Sequence, residues 1–305
     1  QYTLLKVFER YNEDYEKLYN AGMKAKSSFS KYLTVYKHLK EFIQQRYRMS
    51  DIALKELTPA FITDFDMFLR VDKRCCNNTV WIYTCPLRTM VSIAMNNGWL
   101  TRDPFCDYEI QKEDTERGFL TRDEINLLIN GKLKNAKQEL IRDLFLFCFT
   151  GLSFTDMRNL KEENLRTYFD DHLWIYMHRQ KTGVQSNIRL LDIPLQIIEK
   201  YRGLGEDGKV LPVPAYMTCL YGINAVAKRC GINKRLTWHQ SRHTMATEIC
   251  LTNNVPIETV SSILGHKSIK TTQIYAKITK EKLNRDMENL SAQLENIQEY
   301  SSAAI

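Results

Sequence analysis

The sequence predicts a mainly α-helical fold with a small antiparallel β-sheet, divided into an N-terminal helical bundle and a C-terminal α+β domain. Three observations carry this expectation. Apolar residues recur at three- and four-residue spacing through most of the chain, the period of one helical face. Only three short runs between 168 and 193 look like strands. A polar stretch, Gln111-Lys-Glu-Asp-Thr-Glu-Arg-Gly118, interrupts both patterns and marks a linker over 106–118.

Composition narrows the class. The chain has 305 residues, 44% hydrophobic and 26% charged, which suits two globular domains with real cores. Seven Pro and twelve Gly exclude low-complexity and collagen-like structure. No apolar run approaches the roughly 20 residues that span a bilayer. The best candidate, Asp143-Leu-Phe-Leu-Phe-Cys-Phe149, reads as a buried helix segment. Eight cysteines, at 75, 76, 85, 106, 148, 219, 230 and 250, form no C-x-x-C pair and no metal-like group with His, so reduced thiols in a cytoplasm are expected, and no metal site. The chain begins at Gln1 rather than Met, and a further segment is expected upstream.

The elements follow in order. Residues 1–105 read as four helices. Leu4, Leu5, Phe8, Tyr11, Tyr15 and Leu18 mark the first, and Phe29, Leu33, Tyr36, Leu39 and Ile43 the second. Thr58-Pro59 caps a third, with Phe61, Phe65 and Phe68 on its face. A fourth runs through Val80, Tyr83, Leu87, Val91 and Ala94 to Asn97-Gly98. This segment carries 16 basic and 11 acidic residues of the chain's 43 and 36, a net +5 out of +7. Lys24, Lys26, Arg70, Lys73, Arg74 and Arg88 cluster near the expected helix ends. Such a basic bundle suits a polyanion, although a solvated surface explains that charge equally well. Beyond the linker, over 119–280, Thr121-Arg-Asp-Glu124 forms a capping box, and helix is expected over Glu139–Leu160. Strands are expected over Tyr168–Tyr176, Gln180–Gly183 and Ile188–Ile193, with Lys181 at a turn, and helices thereafter. In the tail, 281–305, Leu283, Met287, Leu290, Leu294 and Ile297 make a narrow stripe able to pack in cis or on a neighbouring subunit.

Chemistry concentrates in Thr237-Trp-His239-Gln-Ser-Arg242-His243-Thr-Met-Ala-Thr247, then Leu264-Gly265-His266-Lys-Ser-Ile269 and Tyr275. His239 and Arg242, three apart, share a helical face. His266 follows a Gly, and Tyr275 lies nine residues beyond it. Arginine grips non-bridging phosphate oxygens in bidentate fashion, imidazole moves protons, and a phenol can be a covalent nucleophile, so the group is a toolkit for phosphoryl transfer. Trp238, Met245 and His243 read as packing residues, and Asp156 as an anchor for an arginine or a loop cap.

H-x-x-R-H-T-x-A-T followed by L-G-H-x-S-I-x-T-T-x-x-Y resembles the signature of the tyrosine recombinases, the integrases of phages and transposons. Upstream, Thr150-Gly151-Leu152 with Asp156 and Leu160 is similar to that family's first-arginine box, and Gln180-Lys181-Thr182-Gly183 to its hairpin lysine. The resemblance implies a SAM-like core-binding domain in 1–105 and a catalytic domain in 119–280. It implies a site-specific recombinase of a mobile element, working through a 3′-phosphotyrosyl intermediate without metal or cofactor. Tyr275 is the implied nucleophile, Lys181 the acid for the leaving 5′ oxygen and Arg242 the phosphate clamp; His239 assists proton transfer, and His266 hydrogen-bonds a phosphate oxygen. Lys24, Lys26, Lys73, Arg74 and Arg88 are the implied DNA contacts. The implied partner is double-stranded DNA at attachment sites, bound by a homotetramer whose subunits are monomers without DNA.

One position departs from the family pattern: Ser153 stands where an arginine is expected, and serine offers no delocalised positive charge. The resemblance extends to a subgroup of conjugative-transposon integrases that lack this arginine. Arg179 is the first stand-in, expected to share a strand face with Lys181; Arg158 and then Arg189 follow. A type IB topoisomerase and a non-catalytic DNA-binding protein are the alternative readings.

Overall fold

Thr3, at the head of α1 (Leu4–Asn20), bridges to Ala53, and α1 forms a four-helix unit with α2 (Lys26–Tyr47), α3 (Pro59–Val71) and α4 (Asn77–Asn96). These are the four helices the apolar period predicts. Thr58 caps α3 as expected, its Oγ1 accepting from Phe61 N at 3.4 Å with Pro59 in the first turn. Phe42 of α2 is the hub of the core: it packs on Phe61, Phe65 and Phe68 with ring centroids 5.2–5.4 Å apart. Burying an aromatic ring of this size contributes about 1.5–3 kcal/mol, so this seam helps hold α2 against α3.

The computed structural model describes residues 2–113, 115, 118–276 and 280–298, the side chains of 280–282, 285 and 295–298 excepted. It divides into two units, Gln1–Thr115 and Glu116–Ile305, each with its own core. Residues 114, 116 and 117 of the expected linker, and 299–305 of the tail, lie outside the described residues.

In the second unit, α5 (Arg122–Asn130) opens on the predicted Thr121–Glu124 capping box, and α6 (Ala136–Phe147) on Asn135. Helix does not continue to Leu160. Cys148–Thr150 tightens into a 3₁₀ turn, Gly151 takes φ +82°, and α7 (Phe154–Arg158) starts afresh on Ser153. A Cβ on Gly151 would sit 2.7 Å from Met245 Cε, so conformation and close approach both call for glycine and end the helix there.

The sheet is a three-stranded antiparallel meander, β1 (Leu165–Thr167), β2 (Leu173–His178) and β3 (Gln185–Arg189). Ile175 pairs with Ile188 and both face the core. The expected strands are displaced. Tyr168–His172 forms the β1–β2 turn, Gln180–Gly183 is the β2–β3 turn rather than a strand, and β3 ends before Leu190. Gly183, at φ +67°, closes that second turn, a conformation an extended strand does not use.

The remaining helices are α8 (Asp192–Lys200), α9 (Tyr216–Arg229), α10 (Trp238–Thr244) running into a π-helical segment Met245–Cys250, α11 (Ile257–Leu264), α12 (Ile269–Thr272) and the tail helix α13 (Lys280–Gln298). Of the segment Asp143–Phe149 expected as buried helix, Asp143–Phe147 is buried helix, Cys148 is buried in the 3₁₀ turn and Phe149 is half-buried there. Among the described residues no helix is long and apolar enough to cross a membrane.

Candidate active site

The site forms where three chain reversals meet: the turn after α6, the β2–β3 turn and the α11–α12 corner. Ser153 Oγ caps α7, accepting from Asp156 N at 3.2 Å and donating to Asp156 Oδ2 at 2.8 Å. The Asp156 carboxylate, 4% exposed, accepts further from Gln180 N at 3.1 Å and from Arg179 Nη1 at 3.2 Å. Asp156 is therefore both the loop cap and the arginine anchor that its sequence position suggested.

Arg179 is 3% exposed, whereas Lys181 is exposed at the tip of the turn. The expected shared strand face does not exist, because β2 ends at His178 and the turn sends the two side chains apart. Arg179 Nη2 donates to the carbonyls of Gly151 at 3.0 Å and Ile263 at 2.6 Å. The other stand-ins lie elsewhere: Arg158 is exposed on α7, and Arg189 is paired with Asp170 at 3.8 Å. Thr182 Oγ1 donates to Gly265 O at 3.3 Å and ties the lysine turn to the histidine corner.

A capping box starts α10, with Thr237 N donating to Gln240 Oε1 at 2.7 Å. Trp238 is core, wedged edge-on against Phe145 and Phe154. Arg242, 9% exposed, donates through Nη1 to Gly151 O and through Nη2 to Leu264 O at 2.6 Å. The two guanidiniums thus share the Gly151 carbonyl. Burial and the charge of Arg242 push Arg179 down to about 10, against the pull of Asp156. Burial lowers Arg242 too, against the opposing pull of the nearby Tyr275 side chain. Both remain cations at neutral pH.

Gly265, at φ +62°, ends α11 and lies against Arg179, where an added Cβ would be 2.6 Å from Cγ. His266 follows. Its Nε2 meets Arg242 Nη2 at 3.0 Å and its Nδ1 meets Thr272 Oγ1 at 2.8 Å. Burial, then the charges of Arg242, Arg179 and His239, push His266 down to about 4, so the ring is neutral at physiological pH.

Tyr275 is 4% exposed. His243 lies edge-on to its ring at 4.5 Å and His266 is stacked at 6.1 Å. His239 is exposed, one turn back, with its ring 4.8 Å from that of His243. Arg242, Arg179, His266 and Tyr275 are therefore brought together, with His239 at the edge and Lys181 on an adjoining turn. Two contributors escaped the sequence reading. His243 packs as expected, but it packs on the phenol; its i+4 spacing from His239 was the available signal. Thr272 carried only the repeated Thr-Thr before Tyr275.

In the first unit, Lys24 and Arg74 are exposed in the α1–α2 and α3–α4 turns, and Lys26 is exposed as the first residue of α2. Lys73 is engaged, paired with Glu41 at 2.6 Å and lying over Phe68. Arg88 stands in mid-α4, its guanidinium 4.5 Å above the Phe105 ring, not at a helix end as expected. Arg70, likewise among the expected cluster, is held by Asp66 and Asn77.

A helical bundle followed by an α+β unit with a buried Arg-His-Tyr cluster has the architecture of a DNA strand-transfer enzyme. Residues 118–282 match the phage integrase family and residues 3–110 the phage integrase SAM-like domain. The chain belongs to the phage integrase family. Among its relatives, tyrosine recombinase XerD of Listeria monocytogenes serotype 4b (strain F2365) is 27% identical over 246 residues, covering 73% of this chain and 78% of the relative. Tyrosine recombinase XerA of Thermococcus onnurineus (strain NA1) is 29% identical over 182 residues, covering 55% and 61%. In fold, the chain is similar to a lambda integrase dimer bound to a COC′ core site (TM-score 0.71, 17% identity, 90% and 95% covered). It is also similar to the Tn1549 transposon integrase in complex with a circular intermediate DNA (TM-score 0.70, 16% identity, 95% and 100% covered).

Proposed function

We propose that the chain is a site-specific DNA recombinase, the integrase of a mobile element, which cuts and rejoins double-stranded DNA through a 3′-phosphotyrosyl bond to Tyr275. The observation that carries the reading is convergence: the buried Tyr275 ring lies between His243, edge-on at 4.5 Å, and His266, stacked at 6.1 Å, and His266 Nε2 meets Arg242 Nη2 at 3.0 Å. In this reading the phenol oxygen attacks the scissile phosphorus while its proton passes toward the His239–His243 pair. The 5′ oxygen leaves with a proton from Lys181, and reversal of the step rejoins the strand with no external energy source.

Arg242 and Arg179 carry the charge that develops on the phosphate. Arg179 takes the place of the arginine missing at Ser153, which sets the chain in the subgroup lacking the first catalytic arginine. The shared Gly151 carbonyl supports this assignment, as does Arg179 Nε, which has no hydrogen-bond partner among the described residues. A phosphodiester offers that N–H an anionic acceptor.

In this reading Lys24, Lys26, Lys73, Arg74 and Arg88 contact the DNA backbone, and the protein works in the cytoplasm. The chain is a monomer alone and a tetramer on DNA. A structural neighbour is a lambda integrase tetramer bound to a Holliday junction, and Leu283, Met287, Leu290 and Leu294 of α13 are exposed, a stripe left for a neighbouring subunit. Ile297, its last expected member, lies outside the described side chains.

The test is a suicide duplex nicked beside the cleavage point. Wild type is expected to form a covalent protein–DNA adduct, and Tyr275→Phe to form none while binding the duplex with unchanged affinity. Binding without any wild-type adduct would reduce the protein to a DNA-binding module. Swapped strands between two marked duplexes separate recombination from relaxation by a topoisomerase.

A further inference from the structure

His266 is held at both ring nitrogens, and the two partners differ in kind. Arg242 Nη2, at 3.0 Å from Nε2, can only donate, so Nε2 presents a lone pair. The proton of the neutral ring is then on Nδ1, which donates to Thr272 Oγ1 at 2.8 Å. Turning the ring over would set carbon atoms against both partners and lose both bonds, so the orientation is fixed. The low proton affinity of His266 agrees, because an imidazolium has no lone pair for a guanidinium. In this state Nε2 cannot donate to a phosphate oxygen, yet that is its role in the proposed reaction.

We propose that Thr272 is a positioning residue that lets His266 exchange its two neutral tautomers, so that Nε2 accepts from Arg242 in the DNA-free chain and donates to the phosphate once DNA is bound. The hydroxyl is what makes this available. Thr272 is fully buried at 0% exposure, and a hydroxyl can accept from Nδ1–H or rotate and donate to a bare Nδ1 without moving its oxygen. A backbone carbonyl or a carboxylate in its place would only accept, and would lock the ring in the form unable to donate toward phosphate. The bookkeeping is neutral: one proton leaves Nδ1 to water, one arrives at Nε2 from water, and the Thr272 proton turns about its C–O bond. Arg242, released from His266, turns that N–H to the same phosphate. Thr272 also lies three residues before Tyr275, so the bond that sets the tautomer fastens the nucleophile's helical segment to the histidine corner.

The phosphate-bound half of this inference rests on the proposed function, so its test is read without strand cleavage. Long-range ¹⁵N–¹H spectra of the full chain with labelled histidine, at neutral pH, report which ring nitrogen of His266 is protonated; His266→Gln assigns the signal. Wild type is expected to show Nδ1–H alone and to move to Nε2–H as inorganic phosphate is titrated in. Thr272→Ser should repeat both states, and its cleavage of the suicide duplex should stay within a few-fold of wild type. Thr272→Val should lose the phosphate-driven exchange and cleave about 10- to 100-fold more slowly, the effect of leaving one buried ring nitrogen without a partner. Nε2–H in the free wild-type chain, no change in His266 on adding phosphate, or a Thr272→Val variant matching wild type would each overturn the proposal. Tautomer exchange in a chain that forms no adduct would uphold it for phosphate binding and sink the catalytic reading instead.

Discussion

Each guanidinium has five N–H donors, and counting them explains how the DNA-free site holds two buried like charges side by side. Arg179 uses three, on Asp156, Gly151 O and Ile263 O. Arg242 directs its donors to Gly151 O, Leu264 O and His266. Apart from the Asp156 carboxylate, every acceptor is neutral, so a phosphodiester anion is a better partner than most of what it displaces. Removing Arg179 leaves Asp156 buried without its cation and takes one clamp from the phosphate. Arg179→Ala is expected to slow single-turnover cleavage of the suicide duplex about 100- to 1,000-fold, the usual cost of losing one preorganised donor. Arg179→Lys should recover little, because an ammonium cannot span Asp156 and two carbonyls at once. Arg158→Ala and Arg189→Ala should cleave within a few-fold of wild type; a large loss in either would return the stand-in role to that residue.

At the scale of elements, short segments do the positioning. The five-residue α7 exists because Ser153 caps it, and the same serine steadies the carboxylate that holds Arg179. Ser153 thus supports, through Asp156, the arginine proposed to take the missing place. Gly265 performs a comparable task between α11 and α12. Its φ of +62° turns the chain so that His266 faces Arg242, and its bare Cα leaves room for the Arg179 stem. Gly265→Ala therefore combines a strained backbone with a side-chain clash. It is expected to destabilise the chain by about 1 kcal/mol or more in urea unfolding, and to lower cleavage further by displacing Arg179. Full activity in that variant would show that Arg179 can shift without consequence. The Thr58 and Thr121 caps, most of the apolar faces of α1–α5 and the H-x-x-R spacing were legible along the chain, because each is a relation between residues a few positions apart; Leu18 and Leu33, counted on those faces, are exposed. The strand limits were not: β2 ends where Arg179 turns inward to partners on α11, and no local period encodes that.

For the whole molecule, the two units differ in charge and in what they bury. The first third carries most of the net positive charge and exposes Lys24, Lys26 and Arg74 near its helix ends, while Arg179, Arg242, His243 and Tyr275 of the second unit are buried. Affinity drawn from phosphate contacts falls with salt, by a log–log slope of about 0.9 per contact on duplex DNA. Replacing Lys24 and Lys26 together with alanine should reduce that slope by about two and weaken binding to all duplex sequences alike. Titrations by fluorescence anisotropy at several salt concentrations check this; an unchanged slope would remove the α1–α2 turn from the DNA interface. Lys73, already neutralised by Glu41, is expected to change the slope less than either.

The order and spacing of residues determined by themselves that this chain is helical in its first third, that a phenol, a guanidinium and imidazoles fall in two neighbouring motifs, and that Ser153 follows Thr150-Gly151-Leu152. Those features are local, so reading along the chain reaches them. Only the tertiary structure decided which arginine lies beside Arg242, which histidine touches the phenol, and which nitrogen of His266 faces the arginine. Each of these depends on a contact such as Arg179 with Ile263, made between residues 84 positions apart. Their meeting is fixed by how the buried core stacks helices and turns, a sum over many weak packing contacts that no single stretch of sequence contains.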